Sequence, residues 1–271
     1  IEELLFIFSD GSNVLKLAIL AIAPKISTEQ VLHLASRGLD DSHHQVRQAA
    51  IDALKHMEQE ISVRWLIARL NDDNPKVQCT AARTFEHFFR EEEAVIERKK
   101  LAIPTLTRLL DNEEHSVQIC AVKALAESES YRAIMPLVNK LLKKTGNGSV
   151  SVRIEIIRAL GLIRHRKAIK PLLEVMQQHQ GNSEIIANGL IALKRLDYDK
   201  LDTLLSQYLY IDTKTQATQQ FTIANKIINN VEGNTVFSQN EILNYFSSFI
   251  YALKQDKLHH ADWVIQALNL I

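Results

Sequence analysis

The residues with the most chemistry to offer stand in the segment DDSHHQVRQAAIDALKHM, residues 40–57. Asp40 and Asp41 precede the adjacent histidines His43 and His44, so carboxylate and imidazole groups of the kind that hold a divalent metal share one short turn. A second pair, His259-His260, lies near the C-terminal end, and His115 follows Glu114 in a similar turn. Trp65 and Trp263 offer flat apolar surfaces, and Cys79 and Cys120 offer thiols. Cations are concentrated in one block: residues 136–200 hold 12 Lys and Arg against 5 Asp and Glu, in a chain of zero formal net charge. Such a block could meet nucleic acid or an acidic protein. No phosphate-binding glycine loop, nucleophile elbow or CxxC motif occurs.

Whether any of these groups gathers into a site depends on the elements that carry them, and the chain repeats itself. With Val46 as a register mark, Ala50, Ala53 and Leu54 follow at offsets of four, seven and eight. Val77 leads in the same way to Ala81 and Phe85, Val117 to Ala121, Ala124 and Leu125, and Val152 to Ala159 and Leu160. Ile185 leads to Ala192 and Leu193, and Val14 to Ala18, Ala21 and Ile22. These offsets fall on one helical face, with small residues where neighbouring helices must approach. The residue six after the mark is mostly charged (Asp52, Arg83, Lys123, Arg158) and is expected outside. Five before it stand Asp41, Asp72, Asn112 and Asn147, which suit a turn and a helix start.

A second helix is expected after each first one. AIPTLTRLL (102–110), AIMPLVNKLL (133–142) and AIKPLLEVM (168–176) are related, with Pro104, Pro136 and Pro171 placed near the first turn. STEQVLHLA (27–35) and SVRWLIARL (62–70) fill the same slot, and Ser27 with Gln30 makes a capping box. The insertion REEEAVIERKK (90–100) is expected to lengthen one helix by about two turns as a solvated extension.

The D…VR…A…AL pattern of Asp41, Val46, Arg47, Ala50, Ala53 and Leu54, with the A-I-x-P-L second helix, resembles the HEAT-repeat family in its short bacterial, phycobilisome-lyase-like form. The resemblance covers about residues 1–210 and implies an all-α, α-α superhelical solenoid of about six helical hairpins. It also implies an Asp–Arg ladder between repeats, kept at Arg47 and Arg153 but replaced by glutamine at Gln78 and Gln118. Residues 211–271 are expected to be an atypical helical cap, so that 1–271 reads as one domain. Ile1 is not a methionine and the last residues still read as helix, the pattern of an excerpt from a longer chain.

On this repeat the chemistry disperses. His44 and His115 occupy equivalent turns two repeats apart, on the order of 20 Å at ordinary helix spacing, too far to share one ion. No metal, cofactor or catalytic residue is assigned. Di-iron hydroxylases with this repeat use His-Glu pairs, whereas this chain has Glu86-His87 and Glu114-His115 at unlike places in their repeats. DNA glycosylases with this repeat use tryptophan beside a carboxylate, but Trp65 is expected in the core and Trp263 in the cap. Cys79 and Cys120 are expected to be buried free thiols, which suits a reducing cytoplasm.

A non-catalytic scaffold binding a partner protein is the leading expectation, through the second helices that line the concave side in the family. Arg69, Arg108, Lys140 and Glu174 form the exposed row there. The first alternative is a nucleic-acid-binding solenoid using residues 136–200. Its cations, Lys140, Lys143 and Lys144 at one helix end and Arg164, Arg166, Lys167 and Lys170 in a turn, belong to opposite edges of a repeat. The second is an enzyme of the chromophore-lyase or DNA-glycosylase type, by resemblance alone.

Overall fold

The computed structural model describes residues 2–25, 28–55, 60–90, 95–143, 149–201, 203–204, 222–223 and 227. Trp263, His259, His260, Ser27, Lys144, Asn147 and nearly all of the expected cap lie outside the described residues. The described residues form α-helices and short 3-10 turns, without strands: α1 (Glu2–Asp10), α2 (Asn13–Ile22), α3 (Thr28–Leu39), α4 (His44–Leu54), α5 (Glu60–Arg69) and α6 (Pro75–Arg90). They continue with α7 (Val95–Leu109), α8 (His115–Glu127), α9 (Tyr131–Leu142), α10 (Val150–Ile163), α11 (Ile169–Gln178) and α12 (Ser183–Arg195). No helix among them is long and apolar enough to cross a membrane. The chain divides into two compact units, Ile1–Lys140 and Leu141–Ile271.

In the first unit the first helices stack in succession, α2 on α4, α4 on α6 and α6 on α8, while α3 packs on α5 and α5 on α7. In the second unit α10 packs on α12 and α11 on α12. This is the all-α solenoid pattern of stacked hairpins, each burying its apolar face against its neighbours. The residues at offsets zero, four, seven and eight are buried from Val46 to Leu54 and again from Val77, Val117, Val152 and Ile185. The structure adds offset five to this face: Ile51, Ala82, Val122, Ile157 and Leu190 are also buried. Each fully buried Leu, Ile or Phe contributes about 1.5–3 kcal/mol through removal of apolar surface from water.

The first repeat is corrected by one residue. Val14, Ala18, Ala21 and Ile22 are exposed, Val14 at 77%, whereas Ile19, Leu20 and Ala23 are buried. Ile19, Leu20 and Ala23 fall at offsets four, five and eight from Leu15, and Lys16 then takes the position that Arg47 holds one repeat later. The mark is therefore Leu15, although Leu15 itself and Ile22 at offset seven are exposed in this first repeat. Two prolines also differ from expectation: Pro104 and Pro136 lie inside α7 and α9, while Pro171 is in the first turn of α11. The insertion's residues are shared between two elements, with α6 reaching Arg90 and α7 beginning at Val95. Arg90 is exposed, as expected of a solvated extension, and it also pairs with Glu86 at 3.0 Å and with Glu127 of α8 at 2.8 Å.

Cys79 of α6 and Cys120 of α8 are joined in a disulfide across 5.5 Å between their Cα atoms, which overturns the reading as free thiols. The stacking of α6 on α8 brings the two residues together, and the bonded pair removes the thiol-based argument for a reducing compartment.

Three first helices end the same way. Glu129, Arg164 and Asp197, each twelve residues after its mark, have φ of 48°, 53° and 48°. The left-handed residue reverses the chain into the next element, and a side chain there costs about 1–2 kcal/mol that glycine would avoid. Glu129→Gly is expected to stabilise the first unit by about 0.5–1 kcal/mol, because the relief exceeds glycine's added unfolded-state entropy. An unchanged or lower urea midpoint would contradict this.

Candidate functional site

The turn before α4, α6 and α8 is built by the Asp or Asn five residues before the mark. Asp41 Oδ1 accepts the His43 N–H at 2.8 Å, Asp72 Oδ1 the Asn74 N–H at 2.9 Å, and Asn112 Oδ1 the Glu114 N–H at 2.9 Å. The same residues receive a ladder from the preceding repeat. Lys16 reaches Asp41 at 2.7 Å, and Arg47 donates to both Asp72 oxygens at 2.9 and 2.8 Å. Arg47 further donates to Asp73 and to the carbonyls of Asp41 and Ser42. Where arginine is missing the ladder continues with neutral groups: Asn112 donates to Gln78 at 3.0 Å, and Gln118 donates to the Asn112 carbonyl.

The ladder shapes the local ionisation. Burial works against the charged form of Asp72, but the Arg47 hydrogen bonds and then the Asn74 N–H hold its carboxyl below the ordinary value. The Asp72 hydrogen bonds correspondingly raise Arg47. Asp41 is lowered too, with Lys16 and the His43 N–H outweighing burial.

The histidine pair belongs to this scaffolding. His43 stands at the N-cap position of α4 without a side-chain capping bond, its Nδ1 is buried without a partner, and its ring stacks on His44 with centroids 5.2 Å apart. His115 opens α8 and is exposed. Among the described residues, no three His, Cys, Asp or Glu side chains converge as metal ligands would. Trp65 is half-buried in α5.

The expected binding row divides between the two units. In the first, Arg69 donates to the Leu39 carbonyl at 2.8 Å and lies 3.5 Å from Asp40 and 3.6 Å from Asp72. Lys140 repeats that reach, 3.3 Å from Asp111. Arg108 stands at the matching place but contacts Thr105, and it is exposed. Glu174 is exposed in the second unit and accepts from Gln178 at 3.0 Å. Arg69 and Lys140 thus tie one hairpin to the turn of the hairpin before, a role their exposed-looking sequence positions did not reveal.

Two features were missed in the sequence. Phe6, Ile7, Val14, Leu15 and Ile22 of α1 and α2 are exposed. In the second unit, Arg158 of α10 donates to Asn188 of α12 at 2.8 Å, and a Cβ built on Gly161 would lie 2.9 Å from Ala192. At that end of the pair stand Arg164, the first residue after α10, and Arg195, the last of α12.

Comparison with known proteins agrees with this geometry. Residues 63–146 match the model for HEAT repeats, and residues 152–178 match that for the PBS lyase HEAT-like repeat. No curated protein matches the sequence. The structure of the complex of CpcE and CpcF of phycocyanin lyase from Nostoc sp. PCC7120 is similar in fold, with a TM-score of 0.51 at 19% identity over 88% of this chain and 92% of that one. Two engineered proteins match with TM-scores of 0.41 and 0.42, at 19% and 20% identity, over 84% and 83% of this chain and 96% and 97% of theirs. The repeated turn, the ladder that crosses it and the two matched models together show HEAT repeats over residues 63–146 and 152–178.

Proposed function

We propose that the protein is a non-catalytic scaffold that binds a partner protein through the second-helix ends of its hairpins. The observation that carries this reading is the repeated charged position at Arg69, Arg108 and Lys140 in the first unit, set beside Asp40 and Asp111. Such alternation of sign at a fixed spacing favours a polar partner surface of complementary pattern and sets its register. Arg108 is its exposed member, whereas Arg69 and Lys140 also hold the turns in place. HEAT repeats commonly mediate protein association, and the similar solved structure is itself a complex of two proteins.

Affinity capture from native lysate, read by mass spectrometry, tests the reading. The variant Arg108→Glu with Lys140→Glu is expected to lose partners that the parent retains. Arg69 is left intact, because its reversal would set a carboxylate against the buried Asp72, whereas Asp111 beside Lys140 is largely exposed to water. The same partners recovered by both proteins would reject this surface.

A further inference from the structure

We propose that Arg158, Arg164 and Arg195 form a docking site in the second unit for the carboxylates of an acidic segment of a partner protein. The proposal rests on the scaffold reading and adds the chemistry of one partner. The site is set by helix packing: the Arg158–Asn188 bond and the Gly161–Ala192 approach fix α10 against α12. The left-handed backbone of Arg164 ends α10 beside the last residue of α12, Arg195. Among the described residues no carboxylate or hydrogen-bond acceptor pairs with Arg164 or Arg195, although Arg195 is partly buried. Burial, and then the charges of Arg164 and Arg158, lower the pKa of Arg195, and among the described residues Arg158 has a carboxylate beside it, Glu155 at 3.6 Å, whereas Arg164 and Arg195 have none. Exposed Arg166, Lys167 and Lys170 follow Arg164 directly in the chain.

Cations at a helix C-terminus are favoured by the helix dipole, which accounts for one such residue per helix. It does not account for adjacent arginines on two helices left without a carboxylate. Guanidinium forks suit carboxylates in bidentate pairs. A nucleic-acid backbone needs a longer cationic track. This cluster is bracketed by acids, with Glu155 3.6 Å from Arg158 and Asp197 and Asp199 immediately beyond Arg195. Those acids shorten the cationic surface, which then suits a short carboxylate-bearing segment better than a run of successive phosphates.

Fluorescence anisotropy with the whole chain tests the site, using a labelled twelve-residue peptide rich in Asp and Glu, a scrambled-charge peptide of equal length and a single-stranded RNA. The parent is expected to bind the acidic peptide best, more weakly as salt rises. Arg164→Gly, which suits the positive φ, and Arg195→Gln are each expected to weaken binding by about five- to tenfold, the loss of one charge-assisted contact. Arg83→Gln, an exposed arginine of the first unit, is expected to leave it unchanged. Circular dichroism confirms folding, and of the two site variants Arg164→Gly carries no steric risk to it. Equal peptide affinity for parent and both site variants would overturn the proposal, as would RNA binding tighter than the peptide or no peptide binding at low salt. Capture with the Arg164→Gly chain separates the two levels: partners lost only with Arg108→Glu and Lys140→Glu leave the scaffold standing, while the peptide titration alone judges the arginine cluster.

Discussion

Replacing Asp72 with alanine is expected to lower the unfolding free energy by about 3–5 kcal/mol, the range for removing one partner of a buried ion pair. The side chains of Arg47 and Asp72 are only 10% and 3% exposed, so water cannot replace the lost carboxylate. Exposed Asp73 still meets Arg47, which keeps the loss toward the lower end. The deletion also removes the acceptor of the Asn74 N–H and so loosens the turn that begins α6. The damage therefore falls on the coupling between neighbouring hairpins, the quantity that stabilises a repeat array. Asp72→Asn keeps the turn acceptor, and Arg47→Met combined with Asp72→Asn is expected to recover part of the loss, because no buried charge is then stranded. Urea unfolding followed by Trp65 fluorescence in a Trp263→Phe background measures all three. A loss below about 1 kcal/mol for Asp72→Ala would show that the pair is worth no more than a surface contact.

The same residue gives the pH dependence a sign. Its folded pKa lies below the unfolded value of about 3.9, so its contribution is complete above that pH and is lost as pH falls through the folded pKa. The gap in stability between the parent and Asp72→Asn is expected to close on acidification below about pH 4. A gap that stays constant down to about pH 2 would show that the carboxylate is not engaged.

The repeat was legible because a helix records its buried face in its spacing, and the five marks from Val46 to Ile185 needed no adjustment. The first mark failed because NVLKLAILAI is apolar almost all round, leaving spacing alone unable to choose between Val14 and Leu15. Lys16 broke the tie, since the ladder to Asp41 requires it to stand where Arg47 stands. Substitution of arginine by Gln78 and Gln118 looked like a gap in the ladder, yet an amide can donate and accept: Gln78 keeps both the rung to Asn112 and the bond to its own turn, and Gln118 keeps the bond to its own turn. The binding row was harder to read. Arg69 and Lys140 have the spacing of solvent-facing residues, but a long cationic side chain can fold back to a neighbouring turn, and only the structure shows that it does.

The cysteines teach the same lesson and carry the second large prediction. Cys79 is two residues after Val77, and Cys120 is three after Val117, so they looked unrelated. Yet Gln48, two after Val46, donates to Thr80, three after Val77, at 3.0 Å. Stacked first helices in the first unit therefore meet through offset two of one and offset three of the next, and Cys79 and Cys120 stand at that meeting point one step further along. The bond closes a loop with a sequence separation of 41 residues, for which the chain-entropy model gives about 4 kcal/mol of stabilisation. Reduction of the parent, or Cys79→Ser with Cys120→Ser, is expected to lower stability by about 2–4 kcal/mol and to weaken the grip of α6 on α8 first. Urea unfolding with and without reductant measures the effect, and the double serine variant is expected to be insensitive to reductant. Thiol titration of the unreduced, denatured parent is expected to find no free cysteine. Two reactive thiols there would return the pair to the buried free state that its composition first suggested, and reductant would then leave the parent's midpoint unmoved.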